Sequence, residues 1–79
     1  MKIRVEAFAT VAPFLPPASH GEGALLDLAE GSTVRDVARL LRIPSELSVV
    51  TLVNGDDAPP DRPLTAGDVV TLFPPLVGG

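Results

Sequence analysis

Ile3, Val5 and Ala7 alternate with Lys2, Arg4 and Glu6, the two-residue period of a strand with one buried face. A second short strand is predicted over 24–29, with Leu26 and Leu28 inward and Asp27 outward. Between the two, Pro13, Pro16, Pro17, Gly21 and Gly23 interrupt any period. Phe14 and Leu15 are expected to fold back over an edge of the core, on a helical turn begun by Pro13. Val34, Val37, Ala38 and Leu41 then recur at helical spacing, while Arg35, Asp36, Arg39 and Arg42 take the other face. Thr33 with Asp36 three residues on has the form of a capping box. Pro44 is expected to stop this helix within a residue or so.

A third strand is predicted over 49–53, with Thr51 on the outer face and Val50 and Leu52 on the inner one. Asn54-Gly55 comes next as a turn, since both residues tolerate positive φ. The extended run Pro59-Pro60-Asp61-Arg62-Pro63 leads to Leu64, an expected buried plug, and Ala66-Gly67-Asp68 turns the chain into a last strand over 69–73. The order strand, strand, helix, strand, strand admits one compact solution. The first and last strands lie side by side and parallel, the helix crosses over right-handed, and the sheet order is 2-1-4-3. That is an α+β fold of the β-grasp, or ubiquitin-like, type: one domain over 1–79, with a mixed four-stranded sheet and one main helix on one face.

The last strand runs into Pro74-Pro75 and then Leu76-Val77-Gly78-Gly79. Proline cannot donate to a sheet ladder, so the strand ends there, and its fixed φ keeps the next residues extended. The glycines carry no Cβ, which leaves a terminal carboxylate on the thinnest backbone available. A six-residue thread after Phe73 reaches at most about 20 Å, enough to enter another protein's active site. Gly-Gly arises by chance at a given terminus about once in two hundred sequences at average glycine usage, so its context has to decide. The opposite sheet face is expected to gather Thr51, Val53, Thr71 and Phe73, extended by Val49 and Leu25, as a partner surface anchored on Phe73.

Composition narrows the function by exclusion. The 79 residues contain no cysteine, so a disulfide framework, a thiolate zinc site and a cysteine nucleophile are all ruled out. Such a chain suits a reducing cytoplasm, the expected location. A net charge of −4 disfavours nucleic acid and anionic membranes as partners. No apolar run approaches the length of a membrane span, and Met1 to Glu6 lacks the apolar core of a signal peptide. His20 stands alone in the proline-rich loop, Asp56-Asp57 lacks the ligand spacing of a calcium loop, and the three helix arginines suit a solvated face. No phosphate-binding glycine loop is present. A carrier or binding role therefore outranks autonomous catalysis.

The combination Val53-Asn54-Gly55, Leu64, Gly67-Asp68-Val69-Val70 and Leu72-Phe73-Pro74-Pro75 ending in Gly78-Gly79 resembles the ubiquitin-like sulfur-carrier family (MoaD/ThiS). The helix opening Thr33-Val34 and the exit Arg42-Ile43-Pro44 fit the same pattern, and Phe-Pro-Pro is closer to the molybdopterin branch than to the thiamin branch. The resemblance implies a non-enzymatic carrier that binds no cofactor itself. A partner adenylyltransferase would use ATP to activate the Gly79 carboxylate, and a sulfur donor would convert it to a thiocarboxylate. The large subunit of molybdopterin synthase would then accept the sulfur, with Phe73, Pro74, Pro75, Leu76, Val77 and Gly78 meeting the partners. Alternatives of other classes are sulfur delivery to thiamin, cysteine or thionucleoside synthesis, a protein modifier joined through Gly79, and a purely structural interaction domain.

Overall fold

The computed structural model describes residues 1–15, 23–44 and 46–75. Strands β1 (Lys2–Ala7) and β2 (Ala24–Asp27) precede helix α1 (Val34–Leu40). After it come β3 (Val50–Val53), β4 (Asp56–Asp57) and β5 (Val69–Phe73). The sheet order is β2-β1-β5-β3-β4. β5 lies parallel to β1, with Arg4 beside Val69 and Ala7 beside Leu72, and antiparallel to β3. The four expected strands occupy the order 2-1-4-3, and the two-residue β4 adds a short edge beyond the third. This is the β-grasp architecture.

One core lies between the sheet and α1. Ile3, Val5, Val70 and Leu72 from the central strands meet Val34, Val37 and Leu41 from the helix, closed by Val11, Leu26, Leu28 and Val53. Leu64 is 3% exposed, the plug its position in the loop suggested. The capping box forms: the Thr33 N–H donates to Asp36 Oδ2 at 2.8 Å, and the Thr33 side chain accepts the Asp36 N–H. Asp36 also lies 3.8 Å from Arg39 one turn on.

The helix ends earlier than Pro44 requires. Arg42 takes φ +60°, and the Ile43 N–H reaches back to the Ala38 carbonyl at 3.0 Å while Arg42 donates to Arg39. This is the reciprocal pair of a left-handed helix stop, made with arginine where glycine is usual. The helical turn of the first loop is likewise displaced. It is a 3-10 helix over Ala9–Phe14, with Pro13 near its end rather than at its start. Val11 and Leu15 are buried, and Phe14 packs partly against the core. Asn54 and Gly55 have φ +52° and +90°, both in the left-handed region, so they close a two-residue hairpin between Val53 and Asp56. Asp56-Asp57 is therefore strand, not open turn, and both residues are exposed.

The faces of β3 are the reverse of those expected. Thr51 pairs with Leu72 and Val53 with Val70, and both β5 partners belong to the core. Opposed residues share a face, so Thr51 and Val53 point toward the helix, and Val50 and Leu52 occupy the open face. Val53 is 1% exposed.

Candidate functional site

The site is built on the exit of β5. That strand is central, held by β1 on one side and β3 on the other, so its direction is set by two ladders. Its N-terminal end is tied down further. The Asn54 N–H donates to the Val69 carbonyl at 2.8 Å, and the Val69 N–H donates to Asn54 Oδ1 at 3.0 Å. Asn54 Nδ2 donates to Asp68 Oδ1 at 3.0 Å. Asp68 Oδ2 accepts the Thr65 N–H at 2.9 Å and lies 3.6 Å from the Arg62 guanidinium. The Thr65 amide and the Asn54 side chain, with Arg62 a lesser cause, hold the Asp68 carboxyl below the usual carboxylate range. The motif residues Asn54-Gly55 and Gly67-Asp68 are thus explained. They clamp the start of the strand whose far end becomes the tail.

At that far end the Phe8 N–H donates to the Leu72 carbonyl at 3.0 Å, extending the β1–β5 ladder by one bond. Phe73 pairs with Val50 and is half-buried on the open face, with Pro74 and Pro75 also half-buried beyond it. Leu76, Val77, Gly78 and Gly79 lie outside the described residues, as does His20.

The open face extends from Phe73 and Thr71 to Val50 and Leu52 on one side. On the other it passes Arg4 and Glu6, an ion pair at 3.2 Å, to Leu25, which sits opposite Arg4 and is 68% exposed. Phe8 is 51% exposed beside the tail root. Phe73, Thr71 and Leu25 therefore stand where the sequence placed them. Thr51, Val53 and Val49 do not belong to this patch, because the first two face the helix and Val49 packs against the core. Val50 and Leu52 take their places, and Phe8 was missed. Its signal was the β1 alternation, which continues outward one residue past Ala7.

A groove of about 500 Å³ opens on the helix side, between α1 and β3, lined by Val34, Ala38, Ile43, Leu47, Val49 and Leu72 among others. Among the described residues its ionisable walls are Arg35 and Arg39, which supply no nucleophile and no acid–base pair. Among the described residues no cluster of three or more His, Cys, Asp or Glu is disposed to hold a metal. No helix there is long and apolar enough to cross a membrane. What the arrangement offers is a doubly paired strand end flanked by a partly exposed apolar patch.

Residues 8–79 match the model of the ThiS family. The chain belongs to the ThiS family. No curated protein matches it. Among solved structures, this ThiS-family chain is similar to a putative molybdopterin converting factor subunit 1 from Pyrococcus furiosus. Identity is 27%, over 96% of this chain and 99% of that one, with a TM-score of 0.77. It shares its fold with H. volcanii small archaeal modifier protein 1, at 24% identity over 95% and 98% of the two chains and a TM-score of 0.77. The same fold occurs in the complex of subunits 1 and 2 of the molybdopterin-converting factor from Helicobacter pylori. There identity is 20% over the full length of both chains, with a TM-score of 0.62. The chain is therefore a member of the ubiquitin-like sulfur-carrier family.

Proposed function

We propose that the chain is a sulfur carrier whose Gly79 carboxylate is adenylated and converted to a thiocarboxylate, and that it donates this sulfur in molybdopterin synthesis. The observation that carries the reading is β5, a doubly paired central strand clamped at its start and continuing directly into Pro74-Pro75. A strand fixed in this way sets where Pro74-Pro75 leave the sheet. A carboxylate is a poor electrophile until one oxygen becomes a good leaving group. Adenylation by a partner using ATP supplies that group, and a sulfur donor then displaces AMP. The chain provides the acyl group, and its partners provide the catalysis. Similarity to the P. furiosus subunit 1 favours the molybdopterin branch, with the large subunit of molybdopterin synthase as acceptor.

Co-expression with a cognate adenylyltransferase and a sulfur source tests this directly. Intact mass is expected to show one oxygen replaced by sulfur, with fragmentation placing the change at Gly79. A modification on an internal side chain would sink the reading.

In this reading the open face is the contact surface, and Phe73 is its anchor, an aromatic at the root of the tail ringed by Val50, Leu52 and Phe8. Phe73→Ala is expected to weaken acceptor binding by more than about 1 kcal/mol, measured by calorimetric titration. Because Phe73 is only half-buried, the accompanying loss of fold stability should be smaller. A loss confined to stability would make Phe73 a packing residue only.

A second reading, a protein modifier joined to lysines through Gly79, uses the same acyl-adenylate with an amine in place of sulfur. Incubation with the activating enzyme and candidate targets separates the two. Isopeptide products without a thiocarboxylate would favour the modifier.

A further inference from the structure

An activated carboxyl group reacts with amines, and this chain carries two, the Met1 α-amine and Lys2, its sole lysine. The fold treats them unequally. The part-buried Met1 nitrogen donates to the Leu28 carbonyl at 2.7 Å and to Asp27 Oδ1 at 3.3 Å. Attack by this nitrogen requires both contacts to break. The Lys2 side chain is 71% exposed, and its Nζ lies 3.5 Å from Asp27 Oδ2, on a carboxylate side chain that is itself 69% exposed. An exposed pair of this kind is weak and separates freely.

The position of Lys2 is as telling as its exposure. Its carbonyl accepts the Gly67 N–H at 2.9 Å, so it sits level with the turn that begins β5. The tail leaves from the other end of β5. Six strand steps of about 3.3 Å put roughly 20 Å between the levels of Lys2 and Phe73. The six residues after Phe73 span at most about 20 Å, and β5 runs away from the level of Lys2. Closure within one copy would consume that whole reach after a complete reversal.

We propose that Lys2 is the acceptor for acyl transfer between copies of this chain, which confines self-linkage to one bond, Gly79 to Lys2, and joins the copies head to tail. The proposal rests on the reading of Gly79 as the activated group. In the step, the neutral Lys2 amine attacks the carbonyl carbon of the acyl-adenylate of another copy. A C–N bond forms, the C–O bond to phosphate breaks, AMP leaves with the electron pair, and the proton shed by nitrogen passes to water. ATP, consumed in forming the adenylate, drives it.

Two measurements test this. The first exposes the chain at pH 7 to a limiting amount of an acetyl N-hydroxysuccinimide ester, native and in guanidinium, with peptide mapping of the products. Ordinary α-amines lose their proton near pH 7.7–8.0 and lysine side chains near 10.4, so the denatured chain should acetylate mainly at Met1. The native chain should reverse that order, favouring Lys2 at least about tenfold. The second converts Gly79 chemically to a mercaptoethanesulfonate thioester and incubates the full chain alone at pH 8. The expected product is a dimer with a single Gly79–Lys2 isopeptide, absent from Lys2→Arg. Native labelling of Met1 equal to that of Lys2 would overturn the proposal. So would a dimer that persists in Lys2→Arg, a predominantly cyclic monomer, or no dimer while the same thioester acylates added Nα-acetyl-lysine amide. Because this activation needs no enzyme, failure of the adenylation reading leaves the outcome unaffected.

Discussion

Deletion of Gly79 is expected to abolish adenylation and sulfur transfer while circular dichroism and melting remain those of the parent. The deletion draws the carboxylate back by about 3.5 Å and puts Val77 where Gly78 had been, next to the terminal residue. Reacting groups tolerate little displacement; 1 Å can lower a rate about a hundredfold. A β-branched side chain in a channel shaped for bare backbone adds a clash. The described core ends at Leu72, with Phe73 to Pro75 only half-buried. The change in unfolding free energy should therefore stay below about 0.5 kcal/mol, the range of surface substitutions. Steady-state AMP formation and denaturant unfolding, run side by side, check the two halves. Full transfer activity from the shortened chain would show that the terminal carboxylate is not the working group. A large loss of stability would instead move the interaction-domain reading ahead.

The second large effect falls on stability. Asp68→Ala is expected to destabilise the fold by about 2–3 kcal/mol, because it strands the Thr65 N–H and the Asn54 side-chain amide that the carboxylate now accepts. Asp68 is 7% exposed and both bonds are part-buried, so water replaces the lost partner only in part. Against a total stability of roughly 4–12 kcal/mol for a chain this size, that is a large fraction. The effect has a pH signature. The folded-state carboxyl titrates below its unfolded value of about 3.9, so its contribution is fully present above that pH. It fades as pH falls through the lower folded value, where protonation removes the bonds. Unfolding in urea between pH 7 and pH 2 should show the parent losing this increment in acid and Asp68→Ala lacking it throughout. Equal acid sensitivity in both would assign the slope to other carboxylates.

Several elements could be read from the residues because local chemistry and tertiary packing agree there. Ile3, Val5 and Ala7 alternate cleanly, Thr33 and Asp36 are an uninterrupted capping pair, and Asn54-Gly55 specifies its own turn. β3 was misread for an identifiable reason. In Val49-Val50-Thr51-Leu52-Val53 nearly every position is apolar, so polarity cannot phase a two-residue period. The one polar residue then misleads, since Thr51 is held on the helix face by its pairing with Leu72. The end of α1 was misplaced because Arg42 adopts a positive φ without the glycine that normally signals it. The Asp68 network could not be deduced from spacing alone, as its partners come from three separate turns. The partner patch was half legible. Phe73 and Leu25 alternate as the strands require, but its other half depends on the phase of β3. Leu76 to Gly79 lie outside the described residues, so the fold carries no check on how the tail was read.

The parallel pairing of β1 with β5 also bears on how the protein is made. Arg4 cannot meet Val69 until β5 has left the ribosome, and without β5 the sheet lacks its centre. Domains fold as units during synthesis, so this fold must wait until β5 has been made. A product truncated before Val69 would keep β1, β2, α1, β3 and β4 but would have no closed core. Quality-control proteases would therefore find any chain that stops short of β5 unfolded.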